Sequence, residues 1–208
     1  MKIAINGFGR IGRATFKILL EKHKNLQVVA INDLTDNDTL AHLLKYDTVY
    51  GVYDKKVKAT KTSLVVDSKS YKSLSEKDPE KLPWKELGVD IVLECTGLFR
   101  TKESAGKHLK AGAKKVILSA PAKDDKIPTY VLGVNHQKIK KSDKIISNAS
   151  CTTNCIAPIT KIIEDKIGIK KVMMTTIHAY TAGQNLIDGP KNDLRRARSA
   201  AENIVPTT

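Results

Sequence analysis

Two side chains capable of covalent and proton-transfer chemistry stand out in this chain. Ser150-Cys151-Thr152-Thr153-Asn154-Cys155 opens a stretch with helical spacing, and His178 follows in Thr175-Thr176-Ile177-His178-Ala179-Tyr180-Thr181. A thiol at a helix N-terminus sits among unpaired N–H groups at the positive end of the helix dipole, which favours the thiolate. The pattern places His178 on a following strand; an isolated histidine is more often structural, and against that stands the chemical need for a partner that activates the thiol and later shuttles a proton. Two other readings compete for these residues. A lone cysteine is commonly a buried structural thiol, but the hydroxyls and amide around Cys151 are poor core material. Zinc would need paired short spacings that Cys95, Cys151, Cys155 and His178 lack, so no metal site is expected. Cys155 and Cys95 read as packed apolar positions. His23, His42, His108 and His136 read as surface or capping residues.

A second constellation lies at the start. Asn6-Gly7-Phe8-Gly9-Arg10-Ile11-Gly12 gives G-x-G-x-x-G between a predicted strand and a predicted helix, and Asp33 follows twenty-one residues after Gly12. Gly7 permits the tight turn, Gly9 admits a pyrophosphate to the backbone, and Gly12 allows close helix packing. The helix start supplies N–H donors to phosphate. A carboxylate at Asp33 accepts from ribose hydroxyls and repels a 2′-phosphate, so NAD is expected rather than NADP. The plainer alternative is that Asp33 caps the next turn.

These groups need a scaffold, and the pattern supplies one. Strands are predicted over 2 to 6, 26 to 31, 90 to 95, 115 to 119, 131 to 134 and 144 to 147. Helices are predicted over 10 to 22, 39 to 45 and 102 to 110. The alternation argues for a parallel sheet covered on both faces, an α/β doubly wound Rossmann-type domain. Residues 51 to 75 alternate polar and apolar with turn signals, a hairpin excursion. After Cys151 a helix runs to about Lys166 and a strand over 171 to 180. Residues 182 to 203, with Gly183, Gly189, Pro190 and Leu194-Arg195-Arg196-Ala197-Arg198, form a long ordered loop ending in a short turn or helix. The domain boundary falls near residue 150, dividing 1–150 from 151–208.

Composition narrows the class. The formal charge is +14, from 36 Lys and Arg against 22 Asp and Glu. The lysines are spread along the chain without interleaved stacking aromatics, so a nucleic-acid partner is disfavoured against a solvated surface. Attraction of small phosphorylated molecules fits the charge. No apolar run approaches a membrane span, and the N-terminus opens directly into a strand, so a cytoplasmic protein with no membrane partner is expected.

The segments INGFGRIGR, AINDL, LLKYDTVYG, LSAPAKDD, ISNASCTTNCIAP, TTIHAYT and DLRRARSAAENIVPTT resemble the phosphorylating glyceraldehyde-3-phosphate dehydrogenases. The resemblance implies an NAD-binding Rossmann domain followed by the start of an α+β catalytic domain. It further implies that Cys151 attacks the aldehyde of glyceraldehyde 3-phosphate with His178 as base. An acyl thioester forms, and inorganic phosphate cleaves it to 1,3-bisphosphoglycerate, a step of glycolysis. By the same resemblance Arg10 and Ile11 join the pyrophosphate turn, and Lys77, Thr96 and Ser119 lie along the cofactor. Ser150, Thr152, Thr181 and Arg196 would bind substrate or phosphate oxygens. The plainer reading of Arg195, Arg196 and Arg198 is a solvated or subunit-facing loop. Homotetramers are implied. A sister activity on erythrose 4-phosphate, or a non-catalytic NAD-binding fragment, are the alternatives. Family members continue well beyond Thr208, so a truncated or partial product with weak or absent turnover and retained NAD affinity is the expectation for these residues alone.

Overall fold

The computed structural model describes residues 1–206; Thr207 and Thr208, the end of the second predicted domain, lie outside the described residues. The chain divides into two compact units, Met1–Ile167 and Gly168 onward. The break between these units lies after the helix that begins at Cys151.

The first unit is built on an eight-stranded sheet. Strand β1 (Lys2–Asn6) is followed by helix α1 (Arg10–Lys22), strand β2 (Gln27–Asn32) and helix α2 (Asn37–Lys45). A small separate hairpin, β3 (Tyr46–Asp47) and β4 (Gly51–Val52), precedes β5 (Val57–Thr60), β6 (Ser63–Val66) and β7 (Lys69–Leu74). The short helix α3 (Trp84–Leu87) leads to β8 (Ile91–Glu94), helix α4 (Lys102–Lys110), β9 (Lys115–Leu118) and β10 (Ile145–Ser147). Helix α5 (Cys151–Lys166) closes the unit.

The strand order is β10-β9-β8-β1-β2-β7-β6-β5. From β10 to β7 every pairing is parallel, whereas β7, β6 and β5 run antiparallel as a meander. The excursion predicted over 51 to 75 is this meander. The chain moves from β1 outward through β2 to β7, then returns to the far side of β1 as β8. The order therefore reverses between β1 and β8, the crevice where doubly wound sheets bind ligands.

Both faces of β1 are covered, as a central parallel strand requires. Ile3 and Ile5 pack with Phe8, Phe16, Leu19 and Leu44 on one side, and Ala4 packs with Ala30, Trp84, Val89 and Val92 on the other. Phe16 meets Phe8 and Tyr71 edge to face, with ring centroids 5.4 and 4.9 Å away. Such contacts align the ring quadrupoles and fix α1 against the sheet. Helices α2 and α4 begin at side-chain caps: Asp36 accepts from the Thr39 N–H, and Thr101 forms a capping box with Ser104.

Two predicted strands are absent. Residues 131–134 form turns, because the Asn135 side chain accepts from the Val131 N–H at 2.8 Å and donates to the Thr129 carbonyl at 3.0 Å, taking groups a ladder would use. Only a single bridge, Thr129 to Ser147, forms there. Residues 171–180 pair with no strand among the described residues, and Met173 and Ile177 are each 98% exposed. Their composition suits a strand, but a strand exists only where a neighbour takes its N–H and C=O groups. Among the described residues, the unit from Gly168 onward holds one short 3-10 turn, Leu194–Ala197. No helix among the described residues is long and apolar enough to cross a membrane.

Candidate active site

Gly7 sits at the end of β1 with φ +90°, and its N–H donates to the Asn32 carbonyl at 2.8 Å. A Cβ there would lie 2.7 Å from the Thr96 nitrogen, so the turn after β1 presses on the segment after β8. Gly12 is equally constrained: its Cβ would lie 2.1 Å from the Gly7 carbonyl oxygen. Gly9 differs, because nothing stands within 4 Å of where its Cβ would be. The turn is thus closed from below and open above.

Helix α1 starts at this open position. Gly9 is its N-cap and provides no side-chain acceptor, and the first turn has no acidic residue. N–H groups at such an end are served by water or by an anion. Asp33, just past β2, accepts from the Phe8 N–H at 2.7 Å and the Thr35 N–H at 2.9 Å. It therefore both holds the glycine turn and caps the next one, so the alternative weighed from sequence operates alongside any ligand role. Arg10 Nη1 reaches Asp47 Oδ2 at 2.5 Å. The Asp47 carboxyl is lowered to about 2, first by the Tyr50 N–H and then by the Val49 N–H and Arg10. Ile11 is 52% exposed beside the turn, and Lys77 is exposed after β7.

Beneath this rim lies a buried polar cluster that the sequence did not reveal. Asn32, Asn6 and Glu94 end three adjacent strands in register. Asn32 Nδ2 donates to Asn6 Oδ1 at 2.7 Å, and Asn6 Nδ2 donates to Glu94 Oε2 at 2.6 Å. The other Glu94 oxygen accepts from the Thr96 N–H at 2.8 Å and from the Thr96 hydroxyl. His108, predicted as a surface or capping residue, is fully buried in α4. Its Nδ1 accepts from Trp84 Nε1–H at 2.9 Å, and its Nε2 lies 3.0 Å from Glu94 Oε2. An indole nitrogen only donates, so the proton of the neutral ring resides on Nε2 and points at the carboxylate. The available signal was a polar residue closing each of the apolar strands KIAIN, QVVAIN and IVLE.

Ser119 follows β9, its N–H donating to the Glu94 carbonyl at 3.0 Å. Cys95 is raised to about 11 by burial, in keeping with its reading as a core position. Cys155, by contrast, is exposed, not packed. No residue of α5 is buried among the described residues.

Cys151 is the first residue of α5 and is exposed. Ser150 is the N-cap, its Oγ accepting from the Thr153 N–H at 2.9 Å. Thr152 is half-buried on the first turn. Ala149, immediately before the cap, has φ +60°, a left-handed conformation that non-glycine residues rarely adopt. Asn154 Nδ2 donates to the Asn148 carbonyl at 2.7 Å and the Ser150 carbonyl at 2.9 Å, clamping the bend. A sharp, held turn thus presents the thiol at the helix end.

The remaining predicted residues lie in the second unit. His178 lies outside any helix or strand among the described residues, with Nδ1 at 2.6 Å from the Ala179 carbonyl oxygen. Thr181 and Arg196 converge on Gly183: Thr181 Oγ1 and Arg196 Nη1 lie 3.3 and 3.9 Å from where its Cβ would be. Arg196 also lines an open pocket with Gly183, Pro190, Lys191, Asn192 and Asp193. The 182 to 203 loop is ordered by its own bonds, including Asn185 Nδ2 to the Gly189 carbonyl at 2.7 Å and the Ser199 N–H to Asp188 at 2.8 Å. No cluster of three or more His, Cys, Asp or Glu side chains suited to a metal ion occurs among the described residues.

Residues 1–102 match the family model of the glyceraldehyde 3-phosphate dehydrogenase NAD binding domain, and residues 150–208 match that of the C-terminal domain. The chain belongs to the glyceraldehyde-3-phosphate dehydrogenase family. Among curated relatives, glyceraldehyde-3-phosphate dehydrogenase of Thermotoga maritima is 57% identical over 208 residues, covering all of this chain and 62% of the relative. That of Mycoplasma pneumoniae is 57% identical over 208 residues and 61% of its length, and that of Geobacillus stearothermophilus 56% over 209 residues and 62%. The chain thus spans about three fifths of the length of these members of the family.

Proposed function

We propose that this chain carries the cofactor half and the leading part of the catalytic half of an NAD-dependent phosphorylating aldehyde dehydrogenase acting on glyceraldehyde 3-phosphate. The division near residue 150 belongs to this reading, supported by the second family match starting there. The observation that carries the reading is Cys151, exposed at the first residue of a capped helix within the SNASCTTNC segment.

The glycine turn suits a dinucleotide. Gly9 leaves open space for a pyrophosphate, the uncapped start of α1 offers N–H donors, and Asp33 stands at the ribose position after β2. Arg10, Ile11, Lys77, Thr96 and Ser119 line the remainder. When bound, NAD takes the hydride that turns a thiohemiacetal into an acyl thioester.

Cys151 forms the carbon–sulfur bond to the aldehyde as His178 takes the thiol proton and passes it to the carbonyl oxygen, and His178 then accepts the hydroxyl proton as the hydride leaves. Ser150 and Thr152 offer hydroxyls to substrate oxygens, and Thr181 and Arg196 bind phosphate. Inorganic phosphate then displaces the Cys151 sulfur to give 1,3-bisphosphoglycerate. A glycolytic, cytoplasmic setting and assembly into homotetramers belong to the same reading and rest on the family resemblance.

The test is a phosphate-free reaction with NAD and glyceraldehyde 3-phosphate, followed by NADH absorbance and peptide mass. The expected result is one NADH per Cys151 thioester, abolished by Cys151→Ser. Acylation at Cys155, or NADH formation by the Ser variant, would refute it. Erythrose 4-phosphate reacting faster would assign the sister activity.

A further inference from the structure

We propose that Glu94 is a positioning residue for the second half of the dinucleotide site. The inference rests on the dinucleotide reading above and asks what holds Thr96 in place. Glu94 is 2% exposed and no cation faces it among the described contacts; its partners are the Thr96 N–H and hydroxyl, Asn6 Nδ2 and His108 Nε2. Each of the four is a donor. Thr96 Oγ1 already accepts from the Leu98 N–H at 3.0 Å, so its own hydrogen goes to Glu94. Trp84 fixes the His108 proton on Nε2. Each oxygen of the carboxylate thus faces two donors.

This arrangement spans both sides of the crevice. Asn6 belongs to β1 and Thr96 follows β8, the two strands between which the sheet order reverses. One buried anion therefore sets the distance between the glycine turn and the Thr96-Gly97-Leu98 segment. In a doubly wound sheet the first nucleotide lies over the β1 and β2 ends, and the second lies across the switch point on the β8 side. Asp33 serves the first independently, through the Phe8 N–H. Loss of the Glu94 charge should then loosen the second nucleotide while sparing the first.

Glu94→Gln tests this at constant shape, since an amide NH2 would face donors where the carboxylate accepted. Affinities for NAD and for AMP are measured on the 208-residue chain. NAD binding is expected to weaken about tenfold, the loss of roughly one charge-assisted hydrogen bond, with AMP changed less than about twofold. Equal NAD affinity in the folded variant, or an equal fall for NAD and AMP, overturns the proposal. Failure of the native chain to bind NAD refutes the dinucleotide reading instead. Should Glu94→Gln give no folded protein, His108→Leu removes one donor from behind the site and His108→Gln restores it. The Leu variant should lose NAD affinity selectively and the Gln variant regain it; NAD binding by the Leu variant at the native level overturns the proposal.

Discussion

Substituting alanine for Gly12 inserts one methyl group where the fold has no room. Its Cβ would lie 2.1 Å from the Gly7 carbonyl oxygen, 3.2 Å from the Gly7 carbonyl carbon and 3.3 Å from Ile5 Cγ2. The first distance is about 1 Å inside the closest approach real Cβ atoms show. The obstacle is backbone, which cannot swing aside as a side-chain tip can. Overpacking of this kind costs about 1–3 kcal/mol, whereas glycine to alanine in a helix gains roughly 0.5–1 kcal/mol. Repulsion wins, for a net loss of about 1–2 kcal/mol. Gly106 provides the control: it lies inside α4 with nothing within 4 Å of the added Cβ, so Gly106→Ala should gain about 0.5–1 kcal/mol. Urea unfolding followed by circular dichroism would read the two as opposite shifts of midpoint at unchanged slope. Because the Gly7 carbonyl must move, Gly12→Ala should also bind NAD more weakly. A Gly12→Ala protein as stable as the native chain, or a Gly106→Ala protein destabilised equally, would refute the packing argument.

Acid should act on the Asp47 turn. Its carboxyl is lowered to about 2 in the folded chain from an ordinary 3.8, so its contribution is full above about pH 4 and disappears as the pH falls toward 2. Asp47→Asn should flatten that part of the acid-unfolding curve. Iodoacetamide at neutral pH should label Cys95 last of the three cysteines, because burial raises its thiol to about 11 while Cys151 and Cys155 are exposed; peptide mapping that finds Cys95 first would contradict the burial. Ala149→Gly removes the cost of a left-handed alanine and should raise the thermal midpoint, by an increment worth at most about 1 kcal/mol. A lower midpoint would show that the Ala149 methyl contributes more through packing than its conformation costs.

The periodicity of apolar residues identified β1, α1, β2, α4 and α5 closely because each is decided locally, by spacing and by caps such as Ser150 and Thr101. Residues 131–134 carried the same apolar signal, but Asn135 competes for their backbone, and a side chain that takes ladder groups leaves no trace in periodicity. Residues 171–180 show the complementary limit: pattern records what a strand would bury, not whether a partner lies beside it. The glycine turn was legible because its spacing encodes sterics, and Gly7 and Gly12 are indeed crowded by backbone. His108 was not, because a lone histidine on a helix full of charge gives no hint of Trp84 on α3 or Glu94 on β8, which only the packing of these elements brings to it. The exposure of Cys155 was missed for a related reason: Ile156 and Ala157 beside it suggested a packed face, and burial depends on what else covers α5.

The chain contains a single tryptophan, and Trp84 is sealed from solvent with its indole held by His108. Ultraviolet emission excited at the red edge of the absorption band, where the tyrosines are dark, therefore has one origin in the whole molecule. That origin sits under the layer joining α3 to α4, one imidazole away from the Glu94 carboxylate. A change of colour or brightness reports on this layer alone, with no dye or label attached, and a constant spectrum means that the layer stayed intact whatever happened elsewhere.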